Sequence, residues 1–241
     1  MKLFAIVAVI FGGICFGGYV AWSVIYPTIH IRYRLTVEVK VADQIKTGSG
    51  VIDIAYPIYP DDFVYLGGST DYRPVIGYAV TVDLGDKGML FLTFKNGKSG
   101  REQTIRCLMS DIACLPFAAY GGNETVGGAY SREKASLQAL QAQSGPREAP
   151  LSDLPALIRF RDINDPSSAE IISPVDLAAA YGSGVSIQRV VVELTDVPVT
   201  PMPSNWPSWL KNINRSIDGS RSCFLGQLCL DSTDFKGLHH G

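Results

Sequence analysis

From Ile29 to Val41 the chain reads IHIRYRLTVEVKV, and the alternation has no break. Ile29, Ile31, Tyr33, Leu35, Val37, Val39 and Val41 are apolar or aromatic; His30, Arg32, Arg34, Thr36, Glu38 and Lys40 are polar. Side chains along a strand point to opposite faces in turn, so these residues predict one long strand with a dry face and a wet face. Ala42-Asp43-Gln44 supplies a turn, and 45–56 predicts its hairpin partner, with Gly48 and Gly50 marking a bulge or a close backbone approach. A second hairpin is predicted over 77–95. Tyr78, Val80, Val82 and Leu84 alternate, Gly85-Asp86-Lys87-Gly88 has turn chemistry, and 89–94 is apolar on both faces, as a covered central strand would be. Further strands are predicted at 156–161, with Ile158 and Phe160 inward, and at 185–195.

Helical signals are fewer. Residues 131–143 are helix-compatible, but their apolar positions make a poor stripe, which predicts an exposed helix. Ser173-Pro174-Val175-Asp176 reads as an N-cap serine, a proline at the first helical position and an acid at the third. A helix through 177–181 then ends at Gly182. Residues 118–130 are a glycine-rich loop, 144–155 a linker or crossover, 198–207 proline-rich and irregular, and the chain from Asn212 a loop. The expected fold class is α+β: an N-terminal transmembrane helix followed by a mainly antiparallel β domain with a few short helices.

The membrane helix rests on Leu3 to Tyr26, which contains no charged residue. A bilayer core needs about 20 apolar residues in helical form. Pro27 would end the helix, and Trp22 and Tyr26 stand where interfacial aromatics are expected. The rival is a cleaved signal peptide, since Ala21-Trp22-Ser23 has small residues at the two positions a signal peptidase reads. Gly13 and Gly17 form a G-x-x-x-G pattern, which is common in membrane helices and needs no special role. The expected organisation is 1–27 as anchor (or signal peptide), 28–210 as a mainly β globular domain and 211–241 as an irregular C-terminal tail. Lys2 favours a cytoplasmic start, whereas Arg32 and Arg34 oppose it. Outside the apolar run, Cys107 and Cys114, and Cys223 and Cys229, are close pairs of disulfide candidates, with buried free thiols as the alternative. Together these predict a single-pass inner-membrane protein with a periplasmic domain, the cytoplasmic side being the alternative.

Composition and charge narrow the chemistry. With a formal net charge of -2 the chain has no basic footprint for nucleic acid. The three histidines are His30, beside the apolar run, and His239 and His240 at the end, so none is expected in the body of the domain. A serine or cysteine nucleophile then has no obvious base, and a histidine-ligated catalytic metal is hard to build. Neither cysteine pair has C-x-x-C spacing. Lys46-Thr47-Gly48, Ser131/Lys134, Ser208/Lys211 and Gly97-Lys98-Ser99 match fragments of known motifs in the wrong order or without the rest of the motif. Asp61/Asp62 could serve a glycosidase only if two acids faced each other. In 159–170, RFRDINDPSSAE, Asp162 and Asn164 alternate as in a calcium loop. The glycine at its sixth position and the acid at its twelfth are missing, so a charged connection is expected. No catalytic, cofactor-binding or metal-binding residue is predicted.

The segments 33-YRLTVEV-39 with 47-TGSGVIDI-54, 81-TVDLGDKG-88, 154-LPALIRFRDINDP-166, 177-LAAAYGSGV-185 and 192-VELTDVPVT-200 resemble a family of uncharacterised proteobacterial proteins. The resemblance covers most of the chain after the apolar run, and it implies no activity and no catalytic residues. The cysteine pairs and the glycine-rich segment near 121–128 fall outside its pattern. The expected function is a non-enzymatic, membrane-anchored accessory domain that binds an envelope protein or a second copy of itself. Arg32, Arg34, Lys40, Trp206 and Trp209 are the candidate partner or lipid contacts. The alternatives are a histidine-independent hydrolase using carboxylates and a structural or prophage-derived envelope component.

Overall fold

The computed structural model of the protein describes residues 11–18, 21, 25–58, 74–95, 111–122, 130–212, 230 and 232–237. Among these no helix is long and apolar enough to cross a membrane. Of the apolar run 3–26, residues 11–18, 21 and 25 are helical and 26 is a bend; the rest of the run lies outside the described residues.

The body is α+β, and every strand pairing is antiparallel. In chain order the strands are β1 (Thr28–Val41), β2 (Gln44–Pro57), β3 (Val75–Ile76), β4 (Val80–Asp83), β5 (Met89–Leu92), β6 (Arg147–Glu148), β7 (Leu157–Phe160), β8 (Ala169–Ile172) and β9 (Val185–Leu194). The helices are α1 (Asp111–Tyr120), α2 (Tyr130–Gln141), α3 (Leu177–Tyr181) and α4 (Ser208–Asn212). One sheet has the order β3-β2-β1-β9-β6 and the other β4-β5-β7-β8.

β1 follows its alternation. Ile31, Tyr33, Leu35, Val37 and Val39 are fully buried, and the residues between them face outward. Its register with β2 runs unbroken from Thr28↔Pro57 to Val41↔Gln44, so Gly48 and Gly50 are not a bulge. The irregularity lies on the other side of β1, against β9, at Glu38/Val39. Gly48 is instead a close approach: a Cβ there would sit 2.0 Å from the backbone oxygen of Thr81 in the second sheet. The turn between β1 and β2 puts Ala42 at φ 52, a left-handed conformation that costs a Cβ-bearing residue about 1 kcal/mol.

The second sheet is the middle layer, which explains why β5 is apolar on both faces. Leu90, Leu92 and Leu157 point into the core shared with β1, β2 and β9. Phe91, Ile158 and Phe160 point the other way, into a second core closed by Trp206, Leu210, Leu230 and Phe235. The predicted C-terminal tail therefore contributes to the core. Phe94 and Ala79 donate backbone bonds to the carbonyls of Asp234 (2.7 Å) and Phe235 (2.8 Å), and Gly237 donates to Gly77 (2.9 Å).

α1 packs on the dry face of the first sheet through an arrangement its own sequence requires. Pro116 lies inside the helix and has no N–H, so the carbonyl of Ile112, four residues earlier, loses its helical donor. The Tyr33 hydroxyl donates to that carbonyl at 2.7 Å, and the Tyr56 hydroxyl donates to Ala113 O at 2.7 Å. Tyr56 also meets Phe117 edge to face, with centroids 6.3 Å apart.

Three sequence expectations need correction. The helix predicted at 131–143 is exposed on one side only: Ala135, Gln138, Ala139 and Gln141 face solvent, whereas Glu133, Leu137 and Leu140, spaced one turn apart, are buried. α3 is capped by Asp176, whose carboxylate accepts the Ala179 N–H at 3.1 Å, and not by Ser173, whose carbonyl closes the preceding turn onto Asp176 N. The glycine stop at Gly182, φ 91, is as expected. Lastly, 144–155 is more than a linker, since Arg147–Glu148 pairs with β9 as β6.

Candidate functional site

The wet face of the first sheet carries most of the polar chemistry, and the register explains its order. β1 brings Arg32 opposite Asp53 of β2, Arg34 opposite Glu193 of β9, and Glu38 opposite Arg189 of β9. Arg189 grips Glu38 with two nitrogens, at 2.9 and 2.7 Å, and these bonds hold the Glu38 carboxyl below its usual range. Arg34 reaches Glu193 at 3.3 Å. Cross-strand pairs of this exposed kind set register and contribute little to stability.

At the β1 entrance the face turns inward. Asp53 is 3% exposed, while its partners are open to solvent. It is covered because the segment after β9 folds back over β2: Val51 N donates to Thr200 Oγ1 at 2.8 Å, and Thr200 N donates to Val51 O at 3.2 Å. One Asp53 oxygen accepts from His30 Nδ1 at 3.0 Å, and the other accepts from Arg32 Nη2 at 2.9 Å. A carboxylate only accepts, so His30 Nδ1 is the donor in this contact, and Asp53 does not engage Nε2. Arg32 Nη1 makes a long bond to the Asp196 carbonyl, 3.4 Å, and its buried Nε has no partner. Gln141, the last residue of α2, donates from Nε2 to His30 O at 3.1 Å. Between them lies a cavity of about 280 Å³ whose polar lining includes His30, Arg32, Gln141, Thr195 and Asp196.

This overturns one expectation. His30 is in the body of the fold, on the central strand, and a buried carboxylate orients it. Asp53, 23 residues along the chain, is brought to it only by the β1–β2 register, which no local pattern shows. The signal was present as His30 and Arg32 on one strand face, with an acid in the hairpin partner at matching distance from the turn. No hydroxyl or thiol contacts the His30 ring among the described residues.

The other candidate residues separate by burial. Arg32 and Arg34 are taken up in ion pairs, whereas Lys40 is exposed and makes none among the described residues. Trp206 is a core residue rather than a displayed one: it is 2% exposed and packs edge to face on Tyr78 and Phe91. Trp209 is half-buried, donating to Ile163 O at 2.7 Å and stacking edge-on against Phe160. A buried indole cannot meet a partner, so Trp206 is withdrawn as a contact. Cys114, buried on α1, is in a disulfide, and Cys107, Cys223 and Cys229 lie outside the described residues. So do Asp61, Asp62, His239, His240 and the Gly97-Lys98-Ser99 segment.

The segment 159–170 is a charged connection. Glu170 of β8 accepts from Arg159 at 2.7 Å and Arg161 at 2.9 Å. Asp165 caps the single turn at Pro166–Ser168 by accepting from Ser167 N and Ser167 Oγ, bonds that hold its carboxyl below the usual range. Among the described residues no group of three or more His, Cys, Asp and Glu side chains could hold a metal ion.

Compared with known protein families, curated proteins and solved structures, the chain matches none.

Proposed function

We propose that the protein is a non-enzymatic, membrane-anchored accessory domain that binds a partner at the surface of the inner membrane, on the periplasmic side. The observation that carries this reading is the start of β1. The central strand of the larger sheet begins at Thr28, directly after the apolar run and Pro27. Residues 26 to 30 span ~13 Å at ~3.3 Å per residue, so a helix over 3–26 would hold the His30 end of the sheet at the bilayer without a flexible linker. The Cys114 disulfide supports an oxidising compartment. The likeness to the proteobacterial family adds no activity to this reading. Lys40 and the arginines of the wet face are the contacts for an envelope partner or a second copy. The test is photo-crosslinking in cells from residues 34 and 40, on the exposed strand face. Reproducible adducts of one mass support the reading, and no adduct from either position refutes it.

The His30–Asp53 contact favours a second reading, a hydrolase in which His30 activates water. It requires ester or phosphoester turnover by the purified full chain that is lost in His30→Gln; turnover unchanged in that variant ends it.

A further inference from the structure

We infer that the cavity beside His30 is a binding site for a small zwitterion carrying both a phosphate group and a primary amine. The cavity presents groups of both signs, and neither ion alone satisfies them. Lining it are Arg32, with two guanidinium bonds used (Nη2 to Asp53, and a long one from Nη1 to Asp196 O), and the half-exposed imidazole of His30. Arg32 carries five N–H donors, so it keeps capacity for an anionic oxygen, and a guanidinium matches phosphate geometry. His30 Nε2, which Asp53 does not engage, is a further hydrogen-bonding atom for a phosphate group. Asp196, exposed and without an ion pair among the described residues, lines the same cavity and brings the opposite charge. A bare phosphate would meet the repulsion of that carboxylate, and a bare amine would meet the Arg32 charge. A molecule with the two groups a few bonds apart meets both favourably.

Two further features separate this place from an ordinary surface ion pair. Asp53 is buried and holds both His30 and Arg32 in fixed orientation, the preorganisation a binding site needs. The buried Arg32 Nε has no partner, an unsatisfied group of the kind that structural pairs avoid and functional sites tolerate. The shared ligand chemistry is phosphoethanolamine-like, and it has two sources: a free metabolite or the headgroup of a zwitterionic lipid. The lipid source rests on the tether proposed above; the site itself does not.

The test uses the full chain in non-ionic detergent. Isothermal titration with O-phosphoethanolamine, inorganic phosphate and ethanolamine should give at least tenfold tighter binding for the first than for either of the others. Asp196→Asn, at an exposed position that leaves the fold intact, should abolish that preference while leaving the weak phosphate binding unchanged. Equal affinity for phosphate and O-phosphoethanolamine, no measurable binding, or an unaltered preference in Asp196→Asn overturns the proposal. Reconstitution into nanodiscs containing phosphatidylethanolamine or phosphatidylglycerol distinguishes the sources. Selective retention of phosphatidylethanolamine, lost in Asp196→Asn, assigns the lipid. Binding of the soluble compound with no lipid preference assigns the metabolite and leaves the site standing even if the tether is absent.

Discussion

Tyr33→Phe tests the link between Pro116 and the sheet. The substitution removes one buried oxygen and leaves the backbone in place. The Ile112 carbonyl then has neither its helical donor, which Pro116 cannot supply, nor the hydroxyl at 2.7 Å. Leaving a buried acceptor unsatisfied costs about 1–3 kcal/mol, so a loss of ~2 kcal/mol is expected. For a chain of this size that corresponds to a fall in Tm of ~4–8 °C. Tyr56→Phe should cost less, about 0.5–1.5 kcal/mol, because Ala113 O retains the Phe117 N–H as its helical donor. Pro116→Ala restores an N–H for Ile112 O, so Tyr33→Phe in that background should keep half or less of its effect, a coupling a double-mutant cycle measures directly. Urea unfolding of the full chain in non-ionic detergent, followed by tryptophan fluorescence, gives all four values. A Tyr33→Phe cost below ~0.5 kcal/mol, or one unchanged in Pro116→Ala, would refute the reasoning.

Burial raises the Tyr33 hydroxyl well above its ordinary pKa, and Tyr181 is raised for the same first reason. The folded state therefore stays protonated where the unfolded chain ionises. Stability from these groups is full below about pH 10 and falls as pH rises above it; Tyr33→Phe should flatten that fall between pH 9 and 11 in denaturation midpoints. Gly48→Ala drives a methyl into the Thr81 carbonyl and should destabilise by about 1–3 kcal/mol in urea unfolding; a neutral result would deny the close sheet contact. Asp53→Asn removes the charge that both His30 and Arg32 face, and should cost about 2 kcal/mol, since both partners are partly solvated. Glu38→Gln, on an exposed pair, should leave the midpoint unchanged.

What the sequence revealed and what it hid follow one rule. β1, β9 and the β4–β5 hairpin were legible because alternation and turn chemistry are local properties. The apolar β5 was rightly expected to be central, and its reason appeared only with the second core on its far face. α2 misled because its buried side is Glu133, Leu137 and Leu140, with an acid where an apolar residue would have marked the stripe. Ser173 lost the cap to Asp176 because both residue types cap well, and the turn closed by the Ser173 carbonyl fixes where the helix begins. The His30–Asp53–Arg32 cluster was hidden because its members join through cross-strand register and are enclosed by Thr195–Thr200, a segment far along the chain. Tyr33 illustrates the same limit: its alternation placed it inward, but no local signal tied its hydroxyl to a proline 83 residues later.

The central claim is that the sheet is held at a membrane by residues 3–26. Intact mass and N-terminal sequencing of the native protein, after separating membranes from soluble extract and washing them at alkaline pH, test it most directly. The account predicts a chain that retains residues 1–26, stays with the washed membranes and is released only by detergent. A mature protein that begins near Val24 and remains in the soluble extract would contradict it.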